Sequence, residues 1–387
     1  MDGLGRKALR KGYATTRTDR NHRNSVAILT PTSLTLHPAF KLNGLDFSSA
    51  EEVLNFTDNL LEDGNEQEVS VAKFIEKWLD FTEEISVKTS GSTGKPKSIK
   101  LTKQQMVHSA KATGTYFKTG SGTQALLCIP ADYIAGKMMV VRAMVLGWDL
   151  HVVQPSKDAL VEYDNDYDFV AMVPYQVSHS LEALPKVKKL IIGGGAVSKA
   201  LEEQLQQLPT EAFATYGMTE TITHIAVRRL NGPARSDQYT ALPDVKFTQD
   251  DRGCLVIHAP NISEMAVVTN DLVTLHSPTS FSWLGRQDNV INSGGVKIFP
   301  ETIEHELETQ LGLPFIIASE PDETLGERVI LIFEGDGDSL PNFKEAFQQL
   351  EAYQRPKKVY RLSKFPYTET GKIKRGGVLQ VLRNYKR

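Results

Sequence analysis

Between residues 124 and 217, short apolar runs alternate with helical patterns, and this alternation constrains the fold more than any other feature. The strand-like runs are "QALLCIP", "DLHVVQP", "DFVAMVP", "KVKKLIIGGG" and "EAFATYG". Segments with helical spacing, such as "AGKMMVVRAMVLG" and "SKALEEQLQQL", lie between them. Because parallel strands need a crossover connection that is usually helical, this order predicts βαβ units and a mostly parallel sheet.

The chain on either side of this alternation shows other patterns. Apolar residues at helical spacing predict helix across residues 47–81. "EISVKTS" and "SIKLT" predict two strands around a polar loop, and "KQQMVHSAKATGTYF" at 103–117 predicts a helix after them. Beyond residue 240, short strands with turns, two of them within 264–276, predict a small barrel or an antiparallel sheet. Pro300 opens a predicted helix, after which strands and helices of a small α+β unit follow, including a helix over 340–353.

The predicted fold class is therefore α/β, in two domains. The large N-terminal domain covers residues 25–284 and combines mostly parallel sheets with a small barrel-like part. The small α+β C-terminal domain covers residues 285–387, with 285–288 as the joint. Residues 1–24 contain seven Lys or Arg and no apolar stretch of a secretory signal, which predicts a disordered extension. An upstream start that the cell does not use, a transit peptide and a nucleic-acid-binding arm are the alternatives there.

Composition excludes several classes of protein. The 44 basic residues nearly balance the 47 acidic ones, so the net charge of -3 creates no field that would recruit nucleic acid or an anionic membrane. No apolar run approaches the roughly 18 residues of an integral membrane segment. Cys128 and Cys254 lie in apolar runs without metal-ligand spacing, which predicts core thiols in a reduced, cytoplasmic protein. The oligomeric state stays open.

The polar loop at residues 89–97, "TSGSTGKPK", has the composition of a phosphate-binding loop. Backbone N–H groups and hydroxyls can surround phosphate oxygens while lysines supply charge. It is not a Walker A loop, because only two residues separate Gly91 from Gly94 and Pro96 follows Lys95. The alternative is a solvated hairpin tip.

Later motifs carry oxygen ligands, charged side chains or flexible backbone. "YGMTET" places Glu220 between threonines after a strand, where a carboxylate can hold Mg²⁺ against a phosphate, and Tyr216 offers a flat face for a purine. "IIGGGA" allows close approach of a ligand to backbone. Asp271 and Arg286 can both bind ribose hydroxyls, and Lys372 in "TGKIKR" can reach a reacting carboxylate. Solvated loops and tight turns are the alternatives.

In this order, the motifs resemble those of the acyl-adenylate-forming superfamily of acyl-CoA ligases, luciferases and peptide-synthetase adenylation domains. They run from residue 89 to residue 375. The segment "IPADYIAGKMMVVRAMVLG" and the compact size most resemble the o-succinylbenzoate–CoA ligases of menaquinone biosynthesis. The resemblance implies an enzyme that uses ATP, Mg²⁺ and CoA to turn a carboxylic acid into an acyl-AMP and then a CoA thioester. A carrier-loading adenylating enzyme and a non-catalytic nucleotide-binding homologue stay open as alternatives.

The resemblance also implies roles for individual residues. The phosphate loop comprises Thr89, Ser90, Gly91, Ser92, Thr93, Gly94 and Lys97. The other residues around the nucleotide are Gly193, Gly194, Gly195, Ala196, Tyr216 and Gly217. Thr219 matches the threonine at the phosphate, Glu220 the Mg²⁺ ligand, Asp271 and Arg286 the ribose-binding pair, and Lys372 the adenylation lysine.

Further residues match the family's hinge and CoA passage, and two depart from its pattern. Asp288 matches the hinge, and Gly294 and Gly295 lie where the pantetheine arm passes. Tyr133 stands where the family often has His, and Asn270 where it usually has Gly. The family also has more chain than the 88 residues that precede the phosphate loop here, which implies a reduced N-terminal subdomain.

Charges in an otherwise apolar helix point to the acid substrate. Lys137 and Arg142 lie in "YIAGKMMVVRA", where a buried cation would pair with a substrate carboxylate. Together with Tyr133, and with His224 as a second donor, they are the predicted substrate-binding residues. The alternative is that Lys137 and Arg142 extend to solvent.

Overall fold

The computed structural model describes residues 36–88, 98–160, 165–336, 341–368 and 372–385. These residues form two compact units. The first comprises the described residues up to Gly193 together with Leu208–Phe213, and the second comprises Gly194–Gln207 and the described residues from Ala214 onward. The predicted extension at residues 1–24 and the predicted phosphate loop at 89–97 lie outside the described residues.

The first unit contains a mostly parallel sheet, which confirms the sequence prediction. Its strands, in the order β8-β7-β5-β6-β1-β2, come from β1 (Lys41–Leu42), β2 (Leu45–Asp46), β5 (Gln124–Leu127), β6 (Asp149–Val152), β7 (Tyr167–Met172) and β8 (Val187–Ile192). All neighbours pair in parallel except β1 and β2. Helices α4 (Ile134–Leu146) and α5 (Pro174–His179) provide crossovers. Side chains such as Leu126 are fully buried, as expected for a parallel sheet covered on both faces.

The helical pattern across residues 47–81 forms two helices rather than one. They are α1 (Ala50–Asp63) and α2 (Glu66–Leu79). The Gly64 N–H donates to the Leu60 carbonyl at 3.0 Å and ends the first helix. Asn65 then begins the second with a capping box, because its side chain accepts from the Glu68 N–H and the Glu68 carboxylate accepts from the Asn65 N–H.

The two strands predicted around the polar loop form an antiparallel hairpin. Strand β3 (Glu84–Lys88) pairs with β4 (Ser98–Thr102), and Lys88 lies opposite Ser98. This pairing places Lys88 and Ser98, which flank residues 89–97, opposite each other. Helix α3 (Lys103–Phe117) follows directly, capped by Thr102, and covers the residues predicted for it.

The second unit contains an antiparallel sheet, one of the two predicted alternatives for this part. Its strands, in the order β12-β13-β14-β15-β11-β10-β9, come from β9 (Glu211–Gly217), β10 (His224–Arg229), β11 (Tyr239–Ala241), β12 (Lys246–Gln249), β13 (Cys254–His258), β14 (Val267–Ser277) and β15 (Ser280–Arg286). Helix α6 (Lys199–Leu205) precedes β9, which begins in the first unit and ends in the second. The prediction of two short strands within 264–276 was wrong, since β14 runs through both.

The C-terminal part of the second unit is a small sheet with helices on its two faces. Its elements are β16 (Ile291–Ser293), β17 (Val296–Ile298), α7 (Pro300–Leu311), β18 (Phe315–Asp322), β19 (Gly326–Glu334), α8 (Phe343–Ala346), β20 (Lys358–Leu362) and α9 (Arg375–Tyr385). Ile317 and Leu331 pack with Leu307 of α7, whereas Ile316 and Ile330 pack with Leu382 of α9. This alternation gives the sheet two cores. The helix predicted at Pro300 is confirmed, but the one predicted over 340–353 shortens to α8 and a single turn.

Two expectations from composition, on the cysteines and on membrane-spanning segments, can be compared with the structure. Cys128 and Cys254 are buried free thiols, as predicted for core positions. Within the described ranges, no helix has the length and apolar character that crossing a bilayer requires.

Candidate active site

Three of the predicted nucleotide-binding residues meet in the antiparallel sheet of the second unit. Asp271 of β14 lies opposite Arg286 of β15 in the strand register, and their side chains approach to 3.7 Å between Oδ1 and Nη1. The Tyr216 hydroxyl, at the end of β9, donates to Asp271 Oδ2 at 2.6 Å. The sheet therefore brings together residues that are 55 and 15 positions apart in the chain.

The carboxylate of Asp271 is the centre of this cluster. Burial, followed by the negative charge of Asp271, raises the pKa of Tyr216 well above its usual range, so the hydroxyl stays a donor. The Tyr216 ring packs edge-on against Phe281 at 5.1 Å between centroids, so part of its surface contacts protein. A buried carboxylate held by one hydroxyl keeps further lone pairs for ribose hydroxyls.

Asp288, the predicted hinge residue, is linked to this cluster through Asn270 and Arg252, which no motif indicated as its partners. Asp288 Oδ2 lies 3.5 Å from Arg286 Nη2 and accepts from Asn270 Nδ2 at 3.3 Å. Arg252 Nη1 donates in turn to Asn270 Oδ1 at 3.0 Å. The departure from glycine at position 270 was a signal that could have found this contact, whereas nothing in the sequence marked Arg252.

The segment "YGMTET" ends β9 and continues as a short 3₁₀ turn at Thr219–Thr221. Glu220 is exposed there. Among the described residues, no group of three His, Cys, Asp or Glu side chains could hold a metal ion. A single exposed carboxylate still fits Mg²⁺ that arrives with phosphates, because Mg²⁺ keeps waters and takes one or two protein ligands in such sites.

The two predicted glycine segments lie at different turns. Gly194, Gly195 and Ala196 are exposed in the connection from β8 to α6, where Gly194 has φ of 78°. Gly294 and Gly295 form the two-residue turn between β16 and β17, with φ of 58° and 82°. Two successive positive φ values define a turn that favours glycine at both positions. Contact of either segment with a ligand stays a prediction.

Two hydrogen bonds with Thr368 hold the backbone of Lys372 in place. The Thr368 N–H donates to the Lys372 carbonyl at 2.8 Å. The Lys372 side chain is exposed, yet the protein around it partly desolvates its amine and lowers the pKa. Arg375, three residues later, donates to both carboxylate oxygens of Glu304 at 2.7 Å and to the Ile317 carbonyl. These bonds tie the start of α9 to α7 and β18.

The predicted substrate-binding residues Tyr133, Lys137 and Arg142 lie in the first unit. Arg142 is only 1% exposed, and its Nε donates to Thr113 Oγ1 at 3.3 Å. The alternative that Arg142 extends to solvent was therefore wrong. Burial lowers the pKa of its guanidinium, which shows how unfavourable this environment is for a charge.

The environments of the other three substrate-binding candidates indicate less about a ligand than the burial of Arg142 does. Lys137 donates to the backbone carbonyls of Ala131 at 2.9 Å and Asp132 at 2.6 Å, so its amine already serves the loop before α4. Tyr133 is exposed at the N-terminus of α4. His224 is buried at the start of β10 in the second unit. Their roles toward a substrate stay predictions.

Comparisons with known proteins agree with this fold and these motifs. Residues 88–252 match the family model described as AMP-binding enzyme. The crystal structure of an acyl-CoA synthetase (AMP-forming)/AMP-acid ligase II-like protein from Dyadobacter fermentans is 38% identical, with a TM-score of 0.59. The match covers 85% of this chain and 98% of that one. The chain belongs to the AMP-binding enzyme family. Within it, the protein is an acyl-adenylate-forming acid–CoA ligase.

More distant relatives carry a narrower name. A 2-succinylbenzoate–CoA ligase of Listeria monocytogenes is 25% identical over 341 residues, which cover 80% of this chain and 72% of the relative. The o-succinylbenzoate CoA synthetase from Bacillus subtilis, solved with ATP and a magnesium ion, has a TM-score of 0.66 at 19% identity. That match covers 86% of this chain and 82% of the other, and it shows a shared fold.

Proposed function

We propose that this enzyme activates o-succinylbenzoate with ATP and transfers it to CoA, the reaction used in menaquinone biosynthesis. The observation that supports this substrate is the buried guanidinium of Arg142 in α4, a helix whose other charged residue, Lys137, donates to backbone carbonyls. o-Succinylbenzoate has two carboxylates, of which only the aliphatic one is activated. The aromatic carboxylate needs a charged or hydrogen-bonding partner when it leaves water, and Arg142 supplies one. The name of the Listeria relative supports the same substrate.

In the first half-reaction the aliphatic carboxylate attacks the α-phosphorus of ATP, giving acyl-AMP and pyrophosphate. The protein must hold two anions together and stabilise charge at phosphorus. We assign Asp271 and Arg286 to the ribose, with Tyr216 orienting Asp271 through its hydrogen bond. Lys372 and Thr219 would donate to the reacting oxygens, and Glu220 would hold Mg²⁺, which neutralises phosphate charge when bound.

In the second half-reaction the CoA thiol attacks the acyl carbonyl and forms the C–S bond, its proton passes to solvent, and AMP leaves as the bond from the acyl carbon to the phosphate oxygen breaks. The thiol and Lys372 need the same approach, so we place a rotation at Asp288 between the two steps. Asp288 lies in a short 3₁₀ turn and contacts Asn270 and Arg286.

A proline is tolerated in such a first turn but fixes φ, so Asp288→Pro should slow thioester formation and spare adenylation. Asp288→Ala, which removes the contacts without fixing φ, is the control. Normal thioester formation by the proline variant would exclude Asp288 as the hinge.

ATP–pyrophosphate exchange with a panel of carboxylates tests the proposal. The panel contains o-succinylbenzoate, benzoate, succinate and 4-oxo-4-phenylbutanoate, and each acid is also assayed for thioester formation with CoA. We expect the fastest exchange with o-succinylbenzoate and a thioester only when CoA is present. Exchange without any thioester would favour a carrier-loading enzyme. Preference for a monocarboxylate would remove the substrate assignment, and no exchange with any acid would contradict the enzyme class.

A further inference from the structure

Ile222, directly after the turn that contains Thr219 and Glu220, has an unusual backbone conformation. Its φ is 67° and its ψ is -60°, and its side chain is fully buried. A β-branched residue is crowded at positive φ, so this conformation is strained and persists only where the surrounding structure imposes it. Strain of this kind concentrates at functional sites.

The hydrogen bonds around Ile222 define a γ-turn. The Thr223 N–H donates to the Thr221 carbonyl at 2.7 Å, and the Ile222 N–H donates to the Thr219 carbonyl at 3.0 Å. The chain therefore reverses within three residues and returns against β9. A Cβ at Gly217 would lie 2.2 Å from the Thr223 carbonyl oxygen, so this return path requires glycine at position 217.

Thr221 closes the same loop from inside. Its hydroxyl is fully buried and accepts from the Met218 N–H at 3.0 Å. The same oxygen lies 2.9 Å from the Thr223 carbonyl, to which it donates. Thr221 and Ile222 thus point into the protein, while Glu220 is exposed. The inward pair fixes the direction in which Thr219 and Glu220 leave the loop.

We infer that Ile222 is a positioning residue for adenylation, because its buried side chain holds the γ-turn that aims Thr219 and Glu220 at Mg²⁺ and phosphate. This inference rests on the proposed function. A glycine would adopt the turn without strain but would let the loop relax. Burial of the large side chain offsets the strain and keeps one conformation.

Thermal unfolding of two variants tests the backbone part of the inference. At most positions alanine is more stabilising than glycine, but at positive φ the order reverses because only glycine avoids the clash. We expect Ile222→Gly to unfold at the same temperature as Ile222→Ala or higher. A clearly lower value for Ile222→Gly would overturn the γ-turn as a strained, imposed conformation. This readout does not depend on any activity.

Separate assays of the two half-reactions test the positioning part. We expect Ile222→Gly to raise the Mg²⁺ concentration for half-maximal ATP–pyrophosphate exchange by roughly 10–100-fold, as for a small displacement of catalytic groups. Thioester formation from supplied acyl-AMP should stay within about threefold of the wild type, because that step has already released pyrophosphate. Ile222→Val, which keeps a buried β-branched side chain, should restore the wild-type Mg²⁺ dependence.

Ile257→Ala is the matched control, since Ile257 is also fully buried in the second unit but belongs to β13. It should lower the unfolding temperature without moving the Mg²⁺ dependence. The inference would be overturned if Ile222→Gly and Ile257→Ala both lost activity equally in the two half-reactions, in proportion to their loss of stability. A wild-type protein that adenylates no acid would instead overturn the proposed function, and the positioning role with it.

Discussion

Two arginines in this protein occupy opposite environments. Arg142, in the first unit, is 1% exposed and donates to a threonine hydroxyl. Arg286, in the second unit, has a side chain that is 41% exposed and lies near the carboxylates of Asp271 and Asp288 at 3.7 and 3.5 Å. The same chemical group is therefore desolvated in one place and solvated in the other.

Burial determines which of the two arginines can discriminate between substrates. A guanidinium that is still hydrated gains little from one more anion, because water screens the interaction. A buried guanidinium has already lost its hydration, so a carboxylate that reaches it interacts strongly and an uncharged analogue does not. We therefore expect Arg142 to control acid specificity and Arg286 to adjust nucleotide affinity.

The largest effect is expected at the buried arginine. Arg142→Ala should raise the KM for o-succinylbenzoate. The rise should correspond to a loss of about 2–5 kcal/mol in binding free energy, as for removal of one member of a desolvated charge pair. The KM for ATP should stay nearly unchanged. Met144→Ala, which truncates another fully buried side chain of α4, is the control for lost packing. An unchanged KM for the acid would remove Arg142 from the site.

Lys372 extends the comparison to an exposed cation that acts in the transition state. Lys372→Ala should slow adenylation by roughly 10²–10³, as for loss of one preorganised donor, and leave thioester formation from supplied acyl-AMP intact. Since partial desolvation lowers the pKa of this amine, wild-type adenylation should decline with rising pH before the usual lysine range. The variant should lack that decline. Equal losses in both half-reactions would contradict the assignment.

A smaller effect is expected for the hydroxyl that orients Asp271. Tyr216→Phe removes its 2.6 Å hydrogen bond and leaves a buried carboxylate less satisfied. The free energy of unfolding should fall by about 1–3 kcal/mol, measured by urea denaturation, and the KM for ATP should rise. If neither quantity changes, the contact does not organise the ribose site.

The smallest effect is expected at the solvated arginine. Arg286→Ala removes a guanidinium that is 41% exposed, and a charge contact at such a solvated group is worth about 0–1 kcal/mol, so the KM for ATP should rise by no more than about fivefold. The KM for o-succinylbenzoate should not change. A larger penalty than that of Arg142→Ala would reverse the comparison between the two arginines.

The sequence predicted the parallel sheet because each strand is a continuous apolar run between helices. It failed at β14, where Asn270 and Asp271 are turn-forming residues that suggested a break. Pairing of β14 with both β13 and β15 overrides that local preference, with register shifts between Leu272 and Val273 and between Leu275 and Ser277. Helix α9 was not predicted at all, although Val378 and Leu382 have helical spacing and pack under the small sheet.

The candidate site was predictable as a set of residues but not as a geometry. Motifs indicated Tyr216, Asp271 and Arg286 separately, whereas the contact of Asp271 with Arg286 depends on the register of two strands. The positive φ of Ile222 was equally hidden, because an isoleucine in sequence suggests a strand rather than a γ-turn. Such features depend on tertiary pairing, which local patterns do not contain.

The most direct test of the account compares two acids that differ by one carboxylate. 4-Oxo-4-phenylbutanoate is o-succinylbenzoate without its aromatic carboxylate, and kcat/KM for adenylation is measured for both acids in the wild type and in Arg142→Ala. We predict a strong wild-type preference for o-succinylbenzoate that largely disappears in the variant. The same preference in both proteins, or none in the wild type, would contradict it.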